Sequence, residues 1–396
     1  MQRSGDAGAD AQAAASFLGT WIRSFIHPGR RPRGVNRWDE PLAGRVPVVL
    51  IHGTWMNSWN TWEMLAPRLA AAGHAVFCFD YGRDTSSLAG RLPGVHGTRG
   101  LLDSRAEVAA FIDEVLDRTG ARQVDLVAHS QGVAQARMYL TDSGGADAED
   151  PARNRVRRVI GLGGSNHGTY SWLPRILGLG RAGVADAETV GPGAADVAGP
   201  GAEPGPHPRT GATRTRRGEL GTRILRLIGG QAALDQLVGS PAMAHLNRYG
   251  DTVPGVEYTM LCTRYDTVVT PWRTQFLEAG PGARVRNVVV QQGALADFSD
   301  HLAMLYSPHV IDLVLEALSD DAEDYRAAHP AAAGTVLPFF GALPRRLPRV
   351  RLPRRLPRVR LPRRLPRVRL PHRLPQVRLP RRRRARQSVR RGDRTN

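Results

Sequence analysis

The chain of 396 residues has few cysteines, no lysine, few aromatic residues and no long apolar run. Its two cysteines, Cys78 and Cys262, each lie in an apolar, strand-like stretch, and we predict that both are buried free thiols rather than a disulfide. No run of 18 apolar residues is present, so the sequence predicts no transmembrane helix. The absence of lysine makes every basic side chain an arginine, and no function follows from that.

Positive charge is unevenly distributed along the chain. The formal net charge is +19, a value typical of nucleic-acid-binding proteins. Residues 343–396, however, contain 22 arginines and a single acidic residue, Asp393, so this tail carries +21 and residues 1–342 carry −2. The excess positive charge therefore belongs to the tail, and the body of the protein is nearly neutral.

The tail is repetitive. The nonapeptide LPRRLPRVR begins at residues 343, 352 and 361 and recurs in altered form at 370. Proline at such short intervals excludes a helix or a central strand, and like charges favour an extended chain, so we predict a disordered tail. The alternative is an electrostatic tether to anionic lipid, nucleic acid or another polyanion. The tail contains no aromatic residue, which argues against stacking on bases.

Apolar strands alternate with amphipathic helices in the body. Alternation of this kind predicts an α/β fold with a doubly wound, mostly parallel sheet and helices on both faces. The predicted strands are 45–51, 75–79, 124–127, 156–162, 256–262 and 284–290. The predicted helices include 62–72, 104–118 with Ser104 as its cap, and 301–318.

The same patterns divide the chain into segments. We predict a loosely ordered lead over residues 1–33, an α/β domain over 34–320, a linker over 321–342 and the tail over 343–396. The domain contains a less regular region, 171–250, that we interpret as a cap. Within this cap, the composition of residues 183–217, which are rich in Ala, Gly, Pro, Thr and Arg, predicts a disordered insertion. On either side of the insertion, residues 173–179 and 224–237 have apolar side chains at helical spacing.

The most specific motif follows the third strand. Val124–Val127 leads directly into Ala128-His129-Ser130-Gln131-Gly132, a small-x-Ser-x-Gly pattern. On a sharp strand-to-helix turn this pattern exposes a nucleophilic serine, and the strained backbone requires small flanking residues. A serine hydroxyl also needs a base beside it and donors for the developing oxyanion. Ser130 is therefore the predicted nucleophile.

Further candidates occur in the chain order typical of such an enzyme: oxyanion loop, serine, acid, histidine. His52-Gly53-Thr54-Trp55 follows the first strand, and the backbone N–H groups of Thr54 and Gln131 are the predicted oxyanion donors. Three tryptophans in and after this loop either line an apolar acyl pocket or pack in the core. They are Trp55, Trp59 and Trp62.

The acid and the base are expected after later strands. Asp266 follows strand 256–262 and is the predicted acid, whereas its competitor Asp251 precedes that strand. His301 follows the last strand and is the predicted base. The rival histidines are His167, His245 and His309. His167 comes before Asp266 in the chain, so we interpret it as a residue that braces the site.

Taken together, these segments resemble the class 2 lipase family of α/β-hydrolases, the actinobacterial triacylglycerol lipases and their relatives. The resemblance covers roughly residues 34–318. The matching segments are 34–38, 48–54, 76–82, 124–132, 166–169, 250–255, 263–271 and 299–302. It implies an α/β-hydrolase fold, a Ser130–Asp266–His301 triad and fatty-acid esters as substrates.

Supporting residues and partners complete these expectations. We expect six residues to support the triad: His52, Gly53, His129, Gly132, Asn166 and His167. The interpretation needs no metal or other cofactor, and its partner is a lipid or another acyl ester. Alternatives are an acyltransferase or a polyhydroxyalkanoate depolymerase with the same triad, or a polyanion-binding protein that acts through its tail. The resemblance implies export or the cell envelope, whereas the N-terminus is a poor match to a signal peptide, so the cytoplasm stays an alternative.

Overall fold

A computed structural model describes residues 16–147, 149–170, 216–329 and 334–342. The predicted helix 173–179, nearly all of the predicted insertion 183–217 and the basic tail lie outside these residues. In the described part of the chain, no helix is both long enough and apolar enough to cross a membrane.

A six-stranded parallel sheet forms the centre of the molecule, with strand order β2-β1-β3-β4-β5-β6. The strands are β1 (Val48–Ile51), β2 (Val76–Cys78), β3 (Val124–His129), β4 (Val156–Leu162), β5 (Glu257–Cys262) and β6 (Arg284–Val289). Every strand predicted from the sequence is present within a few residues of its expected bounds. The predicted doubly wound α/β fold is confirmed.

Helices cover both faces of the sheet. The described helices are α1 (Phe17–Ile26), α2 (Ser58–Trp62), α3 (Leu65–Ala71), α4 (Leu88–Arg91), α5 (Leu101–Thr119), α6 (Gln131–Asp142), α7 (Arg216–Gly229), α8 (Ala232–Asp235), α9 (Pro241–Leu246), α10 (Val290–Gly293), α11 (Pro308–Leu318) and α12 (Ala322–Ala328). Side chains alternate along each strand, so β1 sends Val48 and Leu50 to the side of α3 and α11. Val49 and Ile51 pack on the other side, against α5 and α6.

The strand order places a crevice beside β1. From β1 the chain crosses first to β2 on one side and then to β3 on the other. Open α/β sheets bind ligands outside the carboxyl ends of the strands at such a reversal point. The loops that follow β1 and β3 contain Thr54 and Ser130, respectively, so both residues are placed at this crevice.

The N-terminal prediction is wrong for residues 17–26. These residues form helix α1, whose first turn is capped by Ser16 through a hydrogen bond from the Gly19 N–H. Phe17 is buried and lies edge-on against Tyr306, with 5.9 Å between ring centroids. A tertiary contact with the C-terminal part of the domain therefore fixes a segment expected to be loosely ordered.

The predicted linker 321–342 also has regular structure in its described residues. Helix α12 is capped by Asp321, and β7 (Val336–Leu337) pairs with β8 (Gly341–Ala342) as a short antiparallel ribbon. Val336 is buried, and its carbonyl accepts a hydrogen bond from the Phe298 N–H. The ribbon therefore packs against the loop that precedes His301 rather than acting as a spacer.

Candidate active site

Ser130 lies on a strained turn between β3 and α6. Its backbone has φ 54° and ψ −122°, a region that residues with a Cβ rarely adopt. A Cβ on Gly132 would collide with the carbonyl oxygen of Ile51, and one on Gly53 would lie 2.9 Å from the Nδ1 atom of His129. The glycine at the last position of the motif is therefore required by close backbone approach, as expected for a nucleophile elbow.

The three predicted triad residues are brought together at the carboxyl edge of the sheet. His301 Nε2 lies 2.9 Å from Ser130 Oγ, and His301 Nδ1 lies 2.7 Å from Asp266 Oδ2. His301 and Asp266 are buried, and Ser130 is 4% exposed. His301 precedes a 3₁₀ turn, Ala303–Tyr306, so the predicted continuous helix 301–318 is wrong at its start: α11 begins at Pro308, with Ser307 as its cap.

Asp266 is held on both of its oxygens. Oδ1 accepts hydrogen bonds from the N–H groups of Val268 and Val269, each 2.8 Å long. Oδ2 accepts from His301 and, at 2.8 Å, from the Nε2 amide of Gln275. Four donors thus orient the carboxylate toward the imidazole, the arrangement that fixes the tautomer and ring plane of a catalytic histidine.

The alternative candidates for the acid and the base contact residues outside the triad. Asp251 pairs with His167 at 2.8 Å and with the buried guanidinium of Arg137. His245 bonds to Asp142 at 2.8 Å. His309 is buried within α11. No competitor hydrogen-bonds to Ser130 or Asp266 in the described part of the chain.

Thr54, in the loop after β1, and Gln131, which follows Ser130, lie next to each other. Gln131 is the first residue of α6, where backbone N–H groups have no partner within the helix and the helix dipole favours negative charge. In the described ranges, neither the Thr54 N–H nor the Gln131 N–H has a protein acceptor. Their side chains are linked, since Thr54 Oγ1 donates a 2.7 Å hydrogen bond to Gln131 Oε1.

His52 and His129 are fully buried imidazoles. Burial lowers the pKa of His52 to about 4, and its Nε2 accepts a hydrogen bond from the Tyr81 N–H. Burial, followed by the nearby charge of His301, holds the pKa of His129 well below its usual value. A neutral His129 donates from Nε2 to the carbonyl oxygen of His301 over 2.9 Å, and this bond fixes the backbone at that position.

Asn166 and His167 brace the segment that contains Gln275. Asn166 Nδ2 donates to the Gln275 carbonyl at 2.6 Å, and His167 Nδ1 donates to the Thr274 carbonyl at 2.9 Å. Gln275, the last residue of a 3₁₀ turn, Trp272–Gln275, is fully buried. The sequence analysis did not identify Gln275, because no local motif distinguishes it from other glutamines.

The tryptophans of the oxyanion segment do not act as a group. Trp59 and Trp62 are buried and belong to the core, whereas Trp55 is 36% exposed. Trp55 has φ 59°, and its Nε1 donates a 2.7 Å hydrogen bond to the Gly229 carbonyl at the end of α7. Of the three, only Trp55 has a side chain that is exposed.

No group of three or more His, Cys, Asp or Glu side chains is arranged to hold a metal ion among the residues that the structure describes. Cys78 and Cys262 are buried and unpaired, as predicted. Burial raises the pKa of the Cys78 thiol to about 12 and also raises that of Cys262. Both thiols are therefore protonated and unreactive at neutral pH.

Comparison with known proteins finds a family that matches part of the chain. The family described as alpha/beta hydrolase fold matches residues 46–187, a span that includes Thr54 and Ser130. The chain has an α/β-hydrolase fold. This span ends before Asp266 and His301, so the match does not extend to the predicted acid and base.

Several solved structures are similar to the chain. Aspergillus fumigatus lipase B is 16% identical with a TM-score of 0.48, over 74% of this chain and 56% of that one. Bacillus licheniformis lipase BlEst2 in its mature form is 16% identical with a TM-score of 0.39, over 67% and 89%. Bacillus subtilis carboxylesterase CesB is 13% identical with a TM-score of 0.39, over 77% and 98%. At this level, the similarities give no argument about the substrate of this protein.

Proposed function

We propose that this α/β-hydrolase is a serine carboxylic-ester hydrolase. The observation on which the proposal rests is the pair of contacts from His301, 2.9 Å to Ser130 Oγ and 2.7 Å to Asp266 Oδ2. The serine is on the elbow turn, and the backbone N–H groups of Thr54 and Gln131, which have no protein acceptor among the described residues, lie in the loop after β1 and at the start of α6. Nucleophile, base, acid and oxyanion donors are the complete set that acyl transfer through an acyl-enzyme requires.

Acylation follows from this geometry. His301 Nε2 takes the proton of Ser130 as Oγ attacks the ester carbonyl, and the carbonyl oxygen becomes an oxyanion. The N–H groups of Thr54 and Gln131 stabilise that charge, while Asp266 stabilises the imidazolium. The tetrahedral intermediate collapses when His301 returns the proton to the leaving alcohol, which leaves the acyl group on Ser130.

Deacylation repeats the sequence with water. His301 accepts a proton from a water molecule, whose oxygen attacks the acyl carbonyl, and the second intermediate releases the carboxylic acid and restores the Ser130 hydroxyl. The supporting residues keep His301 in position throughout. His129 donates a hydrogen bond to the backbone carbonyl of His301. Gln275 helps to fix the Asp266 carboxylate, which orients the imidazole ring of His301.

The substrate class is the finer part of the proposal. The sequence segments that resemble the class 2 lipases favour acyl esters such as triacylglycerols. An apolar indole at the crevice, that of Trp55, is consistent with an acyl chain. The chain-length optimum on model esters decides between a lipase and an esterase.

Hydrolysis of p-nitrophenyl esters from acetate to palmitate by the full chain tests the proposal. We expect turnover that falls to background in Ser130→Ala and persists in Ser143→Ala, a matched serine at the other end of α6. A fluorophosphonate should label the Ser130 peptide of the wild-type protein. Absence of both turnover and labelling in the folded protein, or full activity of Ser130→Ala, would overturn the assignment.

A further inference from the structure

A chain of three hydrogen bonds joins the predicted cap region to the oxyanion residues. Ser165 Oγ donates to Gln236 Oε1, Gln236 Nε2 donates to Thr54 Oγ1, and Thr54 Oγ1 donates to Gln131 Oε1. Each bond is 2.7 Å long. These side chains are buried or nearly so, and hydrogen bonds in such surroundings are strong and expensive to break.

The orientation of the Gln236 amide is fixed by its other contacts. Its Nε2 also lies 3.0 Å from the Ala232 carbonyl, which can only accept a hydrogen bond. Nε2 therefore faces Ala232 and Thr54, and Oε1 faces Ser165. The Gln236 carbonyl accepts from the Thr169 N–H at 2.9 Å, so the backbone of Gln236 is anchored as well.

This orientation determines what the Thr54 hydroxyl does. The hydroxyl accepts from Gln236, so its single proton is available for the Gln131 side chain. Because the Thr54 hydroxyl donates this proton to Gln131, it does not act as a third donor to the oxyanion. Its role is to couple the two residues whose backbone N–H groups face the crevice.

The oxyanion loop depends on such outside support. Gly53 precedes Thr54, and Trp55 follows it with φ 59°, a backbone conformation that is unfavourable for a bulky side chain. Strained backbone of this kind persists only where surrounding contacts hold it. Two hydrogen bonds from the segment 229–236 do so: Gly229 accepts from the Trp55 indole, and Gln236 donates to Thr54.

We infer that Gln236 is a positioning residue of the oxyanion hole, which ties the segment after α8 to Thr54 and, through Thr54, to Gln131. This inference rests on the proposed esterase function and deepens it. Gln236 makes no hydrogen bond to Ser130 or His301, so we expect it to act on the reaction through the placement of the two N–H donors. Since those donors act mainly on the charge that develops in the transition state, loss of the link lowers kcat and leaves KM nearly unchanged.

Gln236→Met removes the link at nearly constant volume. Loss of one oxyanion donor costs about 10²–10³ in rate, and since both N–H groups stay in the chain here, we expect a loss of about 10-fold to 100-fold in kcat. The inhibition constant of an alkylboronic acid, which forms a tetrahedral adduct on the serine, should rise by a similar factor. Measurement on p-nitrophenyl butyrate with the full chain gives kcat, KM and this constant together.

Gln231→Met is the matched control. Gln231 lies in the same segment, and its Nε2 donates to Asp235 Oδ1 at 2.6 Å rather than to the oxyanion loop. We expect this variant to keep the kcat and the boronate affinity of the wild type. Equal losses in both variants would show that general loosening of the segment is responsible and would overturn the inference. So would wild-type kcat and boronate affinity in folded Gln236→Met.

A second variant keeps the test decisive if Gln236→Met does not fold. Thr54→Val removes the hydroxyl but keeps the backbone N–H, and we expect the same fall in kcat with little change in KM. Where both variants fold, the double variant should lose no more than the more impaired single variant, because both changes break one link. Multiplicative losses, or an unaffected kcat in Thr54→Val, would contradict the inference.

The experiments distinguish a failure of the proposed esterase function from a failure of the role inferred for Gln236. A wild-type protein with neither ester turnover nor fluorophosphonate labelling refutes the esterase assignment, and the inference falls with it. Turnover and labelling in the wild type, with Gln236→Met indistinguishable from it, refute only the role of Gln236.

Discussion

Gln275 Nε2 donates a 2.8 Å hydrogen bond to the same Asp266 oxygen, Oδ2, that faces His301 Nδ1 at 2.7 Å. The two donors therefore constrain one carboxylate oxygen, while the N–H groups of Val268 and Val269 hold the other. Gln275 is in turn fixed by Asn166, which donates to its carbonyl. The loop after β4 thus supports the proposed catalytic acid through Gln275.

Removal of the Gln275 amide should impair catalysis more than stability. In Gln275→Met the Asp266 carboxylate loses the Gln275 amide donor. It keeps three donors, which are the N–H groups of Val268 and Val269 and the imidazole of His301. Misplacement of a catalytic group by about 1 Å can cost about 10²-fold, and with three donors left we expect kcat/KM to fall by about tenfold. Hydrolysis of p-nitrophenyl butyrate measures the effect, and the melting temperature reports on the fold.

The matched control for this prediction is Gln123→Met. Like Gln275, whose Nε2 also donates to the Val269 carbonyl at 3.2 Å, Gln123 uses its Nε2 to donate to a backbone carbonyl, that of Asn154. Its kcat/KM should equal that of the wild type. A folded Gln275→Met with unchanged kcat/KM would show that the backbone N–H groups alone suffice to orient Asp266.

The position of each candidate residue after a strand made the edge with the candidate triad predictable. Ser130, Asp266 and His301 each follow a strand, and the carboxyl ends of parallel strands meet at one edge of the sheet. The elbow is also a local signal, because its strain demands small residues at fixed positions. The alternation of apolar strands with amphipathic helices therefore predicted the sheet. The position of each candidate residue after a strand predicted the candidate triad.

Other features depend on contacts that no local pattern encodes. Gln236 meets Thr54 across 182 residues of chain, and α1 is held by the packing of Phe17 on Tyr306. Helix α5 begins at Leu101 rather than at the predicted Ser104, whose hydroxyl donates to the Gly100 carbonyl inside the first turn. A serine near a helix start signals a cap only if its oxygen accepts, and sequence alone does not distinguish the two cases.

The backbone strain at Ser130 should make the variant Ser130→Gly more stable than Ser130→Ala, which is the reverse of the usual order for glycine and alanine. Glycine normally destabilises relative to alanine, because it increases the entropy of the unfolded chain. At φ 54° and ψ −122° the alanine Cβ is unfavourable and glycine is not. We expect Ser130→Gly to be more stable than Ser130→Ala by about 1 kcal/mol in urea unfolding.

Ser143 offers the control for this comparison. It is the C-cap of α6 with φ −127°, where alanine carries no such strain. There the glycine variant should be no more stable than the alanine variant. If Ser130→Ala proves as stable as Ser130→Gly, the positive φ at Ser130 does not destabilise the folded protein measurably, and this prediction is wrong.

The ion pair between His167 and Asp251 should make stability depend on pH. The hydrogen bond to Asp251 raises the pKa of His167, against a smaller opposing effect of burial. Stabilisation by protonated His167 is therefore complete below about pH 6.5, the value of an unfolded histidine, and is lost as the pH rises through the higher folded value. The difference in melting temperature between wild type and His167→Gln should shrink from pH 6 to pH 8.5. A difference that stays constant or grows over this range would mean that His167 braces the 274–275 segment as a neutral imidazole.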